Sequence, residues 1–206
     1  MTSNRRLIKI CGVTTVAMAI DAVDAGADLV GVVLIPSSPR CVTRAIAAAI
    51  REALAGKAES VALVALGVDD ASFACAAAFD TVQFHGEESP EELRARCETH
   101  GITRAMKGFA WSAERARIWD AAGLTRLVVD SARGGSGTAF DHAAFAQSRA
   151  SLKTPILLAG GLTPDSVGAA IATIQPDGVD VSSGVESSKG VKDPRLVREF
   201  IAIARR

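Results

Sequence analysis

The sequence predicts a single (β/α)₈ barrel spanning residues 1–206, with eight parallel strands ringed by helices. Three observations carry this. Short runs rich in Val, Ile and Leu alternate eight times with longer Ala-rich amphipathic runs. Strict strand–helix alternation requires crossover helices, and therefore parallel strands. At about 26 residues per unit the chain lies near the lower size limit of a closed barrel. No Pro/Gly/Ser-rich linker marks a second domain. A doubly wound open sheet is the alternative, but no nucleotide fingerprint supports it.

The first strand is expected at residues 7–11, followed by a helix from near Thr15 that gathers Val16, Ile20 and Val23 on one face. The second strand, 29–34, leads to a helix from near Thr43, and the third, 60–66, to one from near Asp70. The fourth, 81–85, precedes Ser89-Pro90, an N-cap residue followed by proline at the first helical position. The fifth, 103–109, and the sixth, 126–130, precede helices from near Ser112 and His142. The seventh, 156–160, and the eighth, 178–182, lead to Thr163-Pro164 and Asp193-Pro194, which repeat the cap-and-proline signal. The last helix places Leu196, Val197, Phe200, Ile201 and Ala204 on one side. Gly26, Gly101 and Gly123 fall where helices should stop.

Composition excludes several classes. The 23 basic and 23 acidic side chains cancel, so the clustered Lys/Arg needed to hold a nucleic acid backbone is not expected. Aromatics make up 4% with no tyrosine, which leaves little for base stacking. No apolar run approaches the roughly 20 residues of a membrane helix, and the polar N-terminus shows no signal peptide. Cys11, Cys41, Cys75 and Cys97 lack zinc-knuckle or C-x-x-C spacing. A reduced, cytoplasmic protein is expected.

Polar residues interrupt strands that should be apolar on both faces. Lys9 and Cys11 alternate on the first strand, and Gln83 and His85 on the fourth. Lys107 lies in the fifth, Asp130 ends the sixth, and Asp180 and Ser182 share a face of the eighth. Each alone reads as a satisfied core group. Together they point to a site at the strand ends, where barrels assemble their chemistry. Closure pairs the eighth strand with the first, so Asp180 is expected to meet Lys9 beneath Cys11 and support it.

Gly160-Gly161 after the seventh strand, and Ser182-Ser183-Gly184 after the eighth, combine exposed backbone N–H groups with hydroxyl donors. This pair of loops frequently binds phosphate in barrels. Gly134, Gly135, Ser136 and Gly137, after Asp130, suit a lid that excludes water. Arg40 sits on the same rim, placed to clamp a carboxylate.

These residues resemble the phosphoribosylanthranilate isomerase family of tryptophan biosynthesis. The matching stretches are Lys9-Ile10-Cys11-Gly12-Val13-Thr14, Ser38-Pro39-Arg40 and Val82-Gln83-Phe84-His85-Gly86. Next come Val129-Asp130-Ser131 with Gly134-Gly135-Ser136-Gly137, then the run from Leu158 to Pro164, and finally Gly178 through Glu186. The resemblance implies an Amadori rearrangement of N-(5-phosphoribosyl)anthranilate to 1-(2-carboxyphenylamino)-1-deoxyribulose 5-phosphate. Asp130 would be the general acid, Cys11 the general base, and Arg40 the holder of the anthranilate carboxylate, with the phosphate in the last two loops. The lid departs from relatives at Thr138 and His142. The implied partner is a small phosphorylated substrate, with no nucleic acid or membrane, and the protein is expected to be a monomer or a homodimer.

The residue types suit that chemistry. An acid must hold its proton near neutrality, which partial burial of Asp130 favours, while Cys11 must become a thiolate. A free thiol has a pKa of about 8.5, and Lys9 is the cation expected to ionise it. No metal or organic cofactor is expected. The sister isomerase of histidine biosynthesis would be expected to carry an aspartate on the first strand, where Cys11 stands. A lyase resembling the tryptophan synthase α subunit would want paired carboxylates. A non-catalytic barrel that only binds a phosphorylated ligand is the remaining alternative.

Overall fold

Eight parallel strands pair in chain order, and the eighth pairs back onto the first to close a barrel. The computed structural model describes residues 5–131, 145, 149 and 151–206. The strands are β1 (Leu7–Cys11), β2 (Leu29–Val33), β3 (Glu59–Val64), β4 (Thr81–Phe84), β5 (Ala105–Ala110), β6 (Arg126–Asp130), β7 (Ile156–Ala159) and β8 (Gly178–Val181). The described helices are α1 (Val16–Asp24), α2 (Arg44–Leu54), α3 (Asp70–Ala77), α4 (Pro90–His100), α5 (Ala113–Asp120), α6 (Pro164–Ile174) and α7 (Pro194–Ala204). Most strands stop within a residue or two of the expected ends. The lid glycines and most of the helix expected from His142 lie outside the described residues. Phe145 and Arg149 are helical, and the Phe145 ring packs 4.6 Å from Trp111. Among the described residues no helix is long and apolar enough to cross a membrane.

The helices begin where side chains satisfy their orphan N–H groups. Thr15, Thr43, Asp69, Ser89, Ser112, Thr163 and Asp193 each accept from a first-turn amide. Ser89 and Thr163 form reciprocal capping boxes with Glu92 and Ser166. The cap-and-proline signals therefore mark real helix starts. Gly101 closes α4 in the left-handed region at φ 66°, a conformation that costs glycine little.

Side chains alternate between two apolar layers. The outer layer, between strands and helices, holds residues such as Ile8, Ile10, Val30, Val32 and Phe200. The inner layer fills the lumen with Leu29, Val61, Leu63, Met106, Val128 and Leu157 around Cys11. At the N-terminal mouth, Arg126 donates from Nη1 and Nη2 to Glu59 at 2.7 and 2.9 Å, bridging β6 and β3. That end reads as structural support, not chemistry.

The alternation corrects one expectation. Met106 belongs to the lumen layer, so Lys107 beside it points outward. Its Nζ donates to Glu88 and to the Gly86 carbonyl, each at 2.7 Å, and lies 5.0 Å from the Trp119 ring centroid. Lys107 pins the turn after β4 from behind, and is not part of the cavity.

Nothing in the sequence pattern marked the hairpin between β8 and the last helix. A 3₁₀ turn at Ser183–Val185 leads into an antiparallel hairpin, β9 (Glu186–Ser188) and β10 (Val191–Lys192), before α7 begins. Gly190 turns the hairpin at φ 85°. A Cβ there would lie 2.8 Å from the Pro39 carbonyl oxygen, so the hairpin packs tightly on the loop after β2.

Candidate active site

A cavity of about 810 Å³ opens at the C-terminal ends of the strands. Cys11 lines it from β1, and Gln83 and His85 line it from β4. Asp130, half-buried, enters from the end of β6, three strands from β1 by way of β8 and β7. Arg40 lies on the rim after β2. Gly160 and Gly161 after β7, with Ser182, Ser183 and Gly184 after β8, complete its lining. The barrel thus brings the described candidate residues to one chamber, apart from Lys9 beneath it. Cys41, Cys75 and Cys97 do not line it.

Two glycines that carried no functional signal in the sequence make room for polar side chains of the chamber. Gly31 faces Cys11 across the β1–β2 ladder, and a Cβ there would come within 3.3 Å of the thiol sulfur and 3.4 Å of Lys9 Cε. On β5, a Cβ at Gly108 would lie 2.5 Å from His85 Nδ1 and 3.0 Å from Gln83 Nε2. In each pair the strand beside a polar side chain gives up its own. Gln83 is buried, and among the described residues its Oε1 accepts no hydrogen bond.

Beneath Cys11, Lys9 Nζ donates to Asp180 Oδ1 at 2.9 Å, in the register that β1–β8 closure imposes. Lys9 is fully buried. Burial alone would lower the Lys9 pKa, but Asp180 and Cys11 together raise it above the ordinary lysine value. The cation is therefore retained at neutral pH.

The thiol behaves differently from the sequence expectation. Lys9 does pull the Cys11 pKa down, as does Lys192, but burial is the larger influence and Asp180 reinforces it. The net effect raises Cys11 above the ordinary thiol value. A lysine two residues away is visible in a sequence, whereas the desolvation that outweighs it belongs to the closed lumen.

Arg40 is also more constrained than a solvated rim arginine. Its Nε and Nη2 donate to the Glu186 carboxylate at 2.6 and 2.9 Å in a bidentate pair. Burial would raise the Glu186 carboxyl, but hydrogen bonds from Arg40, Lys192 and the Gly190 amide pull it down to about 2. Lys192 is the residue the sequence reading missed altogether. It comes within reach only because the hairpin folds back onto Ser182 and Glu186.

The loops after β7 and β8 fit each other closely. Gly160 and Gly161 have φ of 94° and 64°, where a side chain would be strained. A Cβ at Gly184 would overlap the Leu162 carbonyl oxygen, which leaves that position no room for a side chain. The glycine backbone of the first loop and the serine hydroxyls and backbone of the second line this end of the cavity and suit an anion.

Fold and site together define a (β/α)₈ barrel enzyme, with a thiol, a carboxyl group and an anion-suited wall at the C-terminal ends of its strands. A sequence model described as N-(5'phosphoribosyl)anthranilate (PRA) isomerase matches residues 8–203. The chain belongs to the N-(5'-phosphoribosyl)anthranilate isomerase family. The isomerase of that name from Magnetococcus marinus is 42% identical over 207 residues, covering 97% of this chain and 95% of its own. That from Pseudomonas fluorescens is 41% identical, covering 96% and 95%. A crystal structure of TrpF from Jonesia denitrificans superposes with a TM-score of 0.84 at 35% identity, covering 97% of each chain. A phosphoribosyl anthranilate isomerase in complex with reduced 1-(o-carboxyphenylamino)-1-deoxyribulose 5-phosphate superposes at 0.81 with 30% identity, covering 97% of this chain and 98% of that one.

Proposed function

We propose that the chain catalyses the isomerisation of N-(5'-phosphoribosyl)anthranilate in tryptophan biosynthesis, with Asp130 as general acid and Cys11 as general base. The observation that carries the reading is one cavity with Cys11 and Asp130 on strands three apart, an arginine on its rim and an anion-suited wall. Asp130 protonates the furanose ring oxygen, and the C1'–O bond opens to a protonated Schiff base. That cation acidifies the C2' proton and, by its charge, lowers the pKa of the nearby thiol. The Cys11 thiolate then removes the C2' proton, and the resulting enolamine tautomerises to the ketone. No atoms are gained or lost.

Arg40 takes the anthranilate carboxylate, with Glu186 holding two of its donors in place. Ser182, Ser183 and the amides around Gly160, Gly161 and Gly184 take the phosphate. Gln83 Oε1, lacking a hydrogen bond among the described residues, is the acceptor for a substrate hydroxyl or amine. His85 extends the same polar edge towards solvent, and Lys9 with Asp180 supports Cys11 from below. Purified protein is expected to abolish the fluorescence of phosphoribosylanthranilate with turnover, whereas a preparation that leaves it unchanged refutes the reading.

Gly184→Ala tests the phosphate wall separately. The new methyl group must displace the Leu162 carbonyl or the 3₁₀ turn. Loss of one charge-assisted hydrogen bond costs about 1.5–3 kcal/mol, so KM is expected to rise about 10- to 100-fold, with a smaller change in kcat. Steady-state kinetics check the split. An unaltered KM would show that the phosphate binds elsewhere.

A further inference from the structure

Glu186 and Lys192 form a buried pair behind the rim arginine. Glu186 Oε1 accepts from Arg40 Nε at 2.6 Å and from Lys192 Nζ at 2.7 Å. Its Oε2 accepts from Arg40 Nη2 at 2.9 Å and from the Gly190 amide at 3.1 Å. Lys192 Nζ donates in addition to the Ser182 carbonyl at 3.0 Å and to Ser182 Oγ at 3.1 Å. Those three bonds match the three protons of an ammonium group. The two side chains, Lys192 and Glu186, are 0% and 5% exposed, so water contributes little to the arrangement.

Hydrogen-bond polarity gives this cluster a direction. An ammonium group only donates, so Ser182 Oγ is an acceptor towards Lys192 and keeps its own proton for another acceptor. Ser182 lines the anion-suited wall. Similarly, one edge of the Arg40 guanidinium is committed to Glu186, which leaves the Nη1 edge for a ligand. Gly12 holds the two together. At φ 73°, a Cβ there would lie 2.5 Å from Arg40 Cδ and 3.2 Å from Ser182 Oγ, so the arginine stem packs on bare backbone next to Cys11.

We propose that Lys192 and Glu186 are positioning residues, Lys192 turning the Ser182 hydroxyl proton towards the substrate phosphate and Glu186 aiming Arg40 at the aryl carboxylate. One buried ion pair thus sets the spacing between the two anionic ends of the substrate. This rests on the isomerase reading, because only a substrate with a carboxylate and a phosphate at opposite ends makes use of both anchors. Electrostatics bear on the two partners differently: the donors around Glu186 hold its carboxyl down to about 2, whereas burial lowers the Lys192 pKa and the bond to Glu186 opposes that.

Two double-mutant cycles test this. Glu186→Gln is expected to raise KM for phosphoribosylanthranilate about tenfold in the wild-type background and less than about twofold in an Arg40→Ala background. Lys192→Met is expected to weaken binding of inorganic phosphate, read by calorimetry, about tenfold alone and less than about twofold beside Ser182→Ala. A general structural role predicts equal losses in both backgrounds, and that outcome overturns the inference. Should Glu186→Gln fail to fold, as judged by circular dichroism, the Lys192 cycle decides alone. Wild-type protein that binds inorganic phosphate with the expected coupling but never turns over phosphoribosylanthranilate would refute the isomerase reading instead.

Discussion

Asp130→Asn and Cys11→Ala are each expected to lower kcat by about 10³-fold, with KM changed much less, because in the proposed mechanism each removes a proton-transfer group and leaves both proposed anionic anchors in place. Asparagine retains the shape of Asp130 but has no acidic proton for the ring oxygen. Alanine leaves the lumen beside Gly31 without any group to accept the C2' proton. Because the two residues act in successive steps of one reaction, the double variant should be far less impaired than the product of the two factors. Steady-state kinetics on folded variants check this, and wild-type rates in either single variant would reassign the roles.

Cys11 also sets the sign of the pH dependence. Its folded-state pKa is raised, chiefly by burial, so the reactive thiolate fraction grows as pH rises through a value above the ordinary thiol range. Alkylation of Cys11 by iodoacetamide, followed on the Cys11 peptide by mass spectrometry, should accelerate with pH over that range. A profile centred below the ordinary thiol value would contradict the dominance of burial.

The second large effect concerns stability. Lys9→Met is expected to cost about 3–5 kcal/mol, since it leaves the Asp180 carboxylate charged and without its 2.9 Å partner in the lumen. The double variant Lys9→Met/Asp180→Leu should recover much of that loss, because apolar pairs often replace buried ion pairs without penalty. Denaturant unfolding measures both. The folded-state Lys9 pKa is raised, so its contribution is complete below the ordinary lysine value and is lost only as pH rises through the higher folded value. Stability from this pair is therefore flat across neutral pH. The same substitution removes a charge that lowers the Cys11 pKa, so the alkylation profile should move to higher pH. A profile that stays in place would show that Lys9 supports the fold and not the thiol.

Much of the molecule was legible in one dimension. The eightfold alternation, the caps at Ser89, Thr163 and Asp193, and the glycine stop at Gly101 depend on residues a few positions apart, and local periodicity reports such relations faithfully. Even the Lys9–Asp180 pair, 171 residues apart in the chain, followed once closure made β8 and β1 neighbours. The sequence patterns, read with the family resemblance, therefore specified the barrel and most of the polar side chains that line the cavity at the C-terminal ends of its strands.

Other features depend on sums over distant neighbours. Lys107 lies in a strand like Lys9, yet a one-residue change of phase in the pleat sends it outward to Glu88. The space for Cys11 and His85 comes from Gly31 and Gly108 on adjacent strands, which no pattern within β1 or β4 reveals. Lys192 and Glu186 meet Arg40 and Ser182 only after the hairpin turns at Gly190. The pKa of Cys11 rises because desolvation in the lumen, reinforced by Asp180, outweighs the pull of Lys9 and Lys192. Periodicity along the chain was enough to place the strands and helices. Which face each polar group occupies, what lies opposite it and how much water it loses arise only when remote segments close around one cavity.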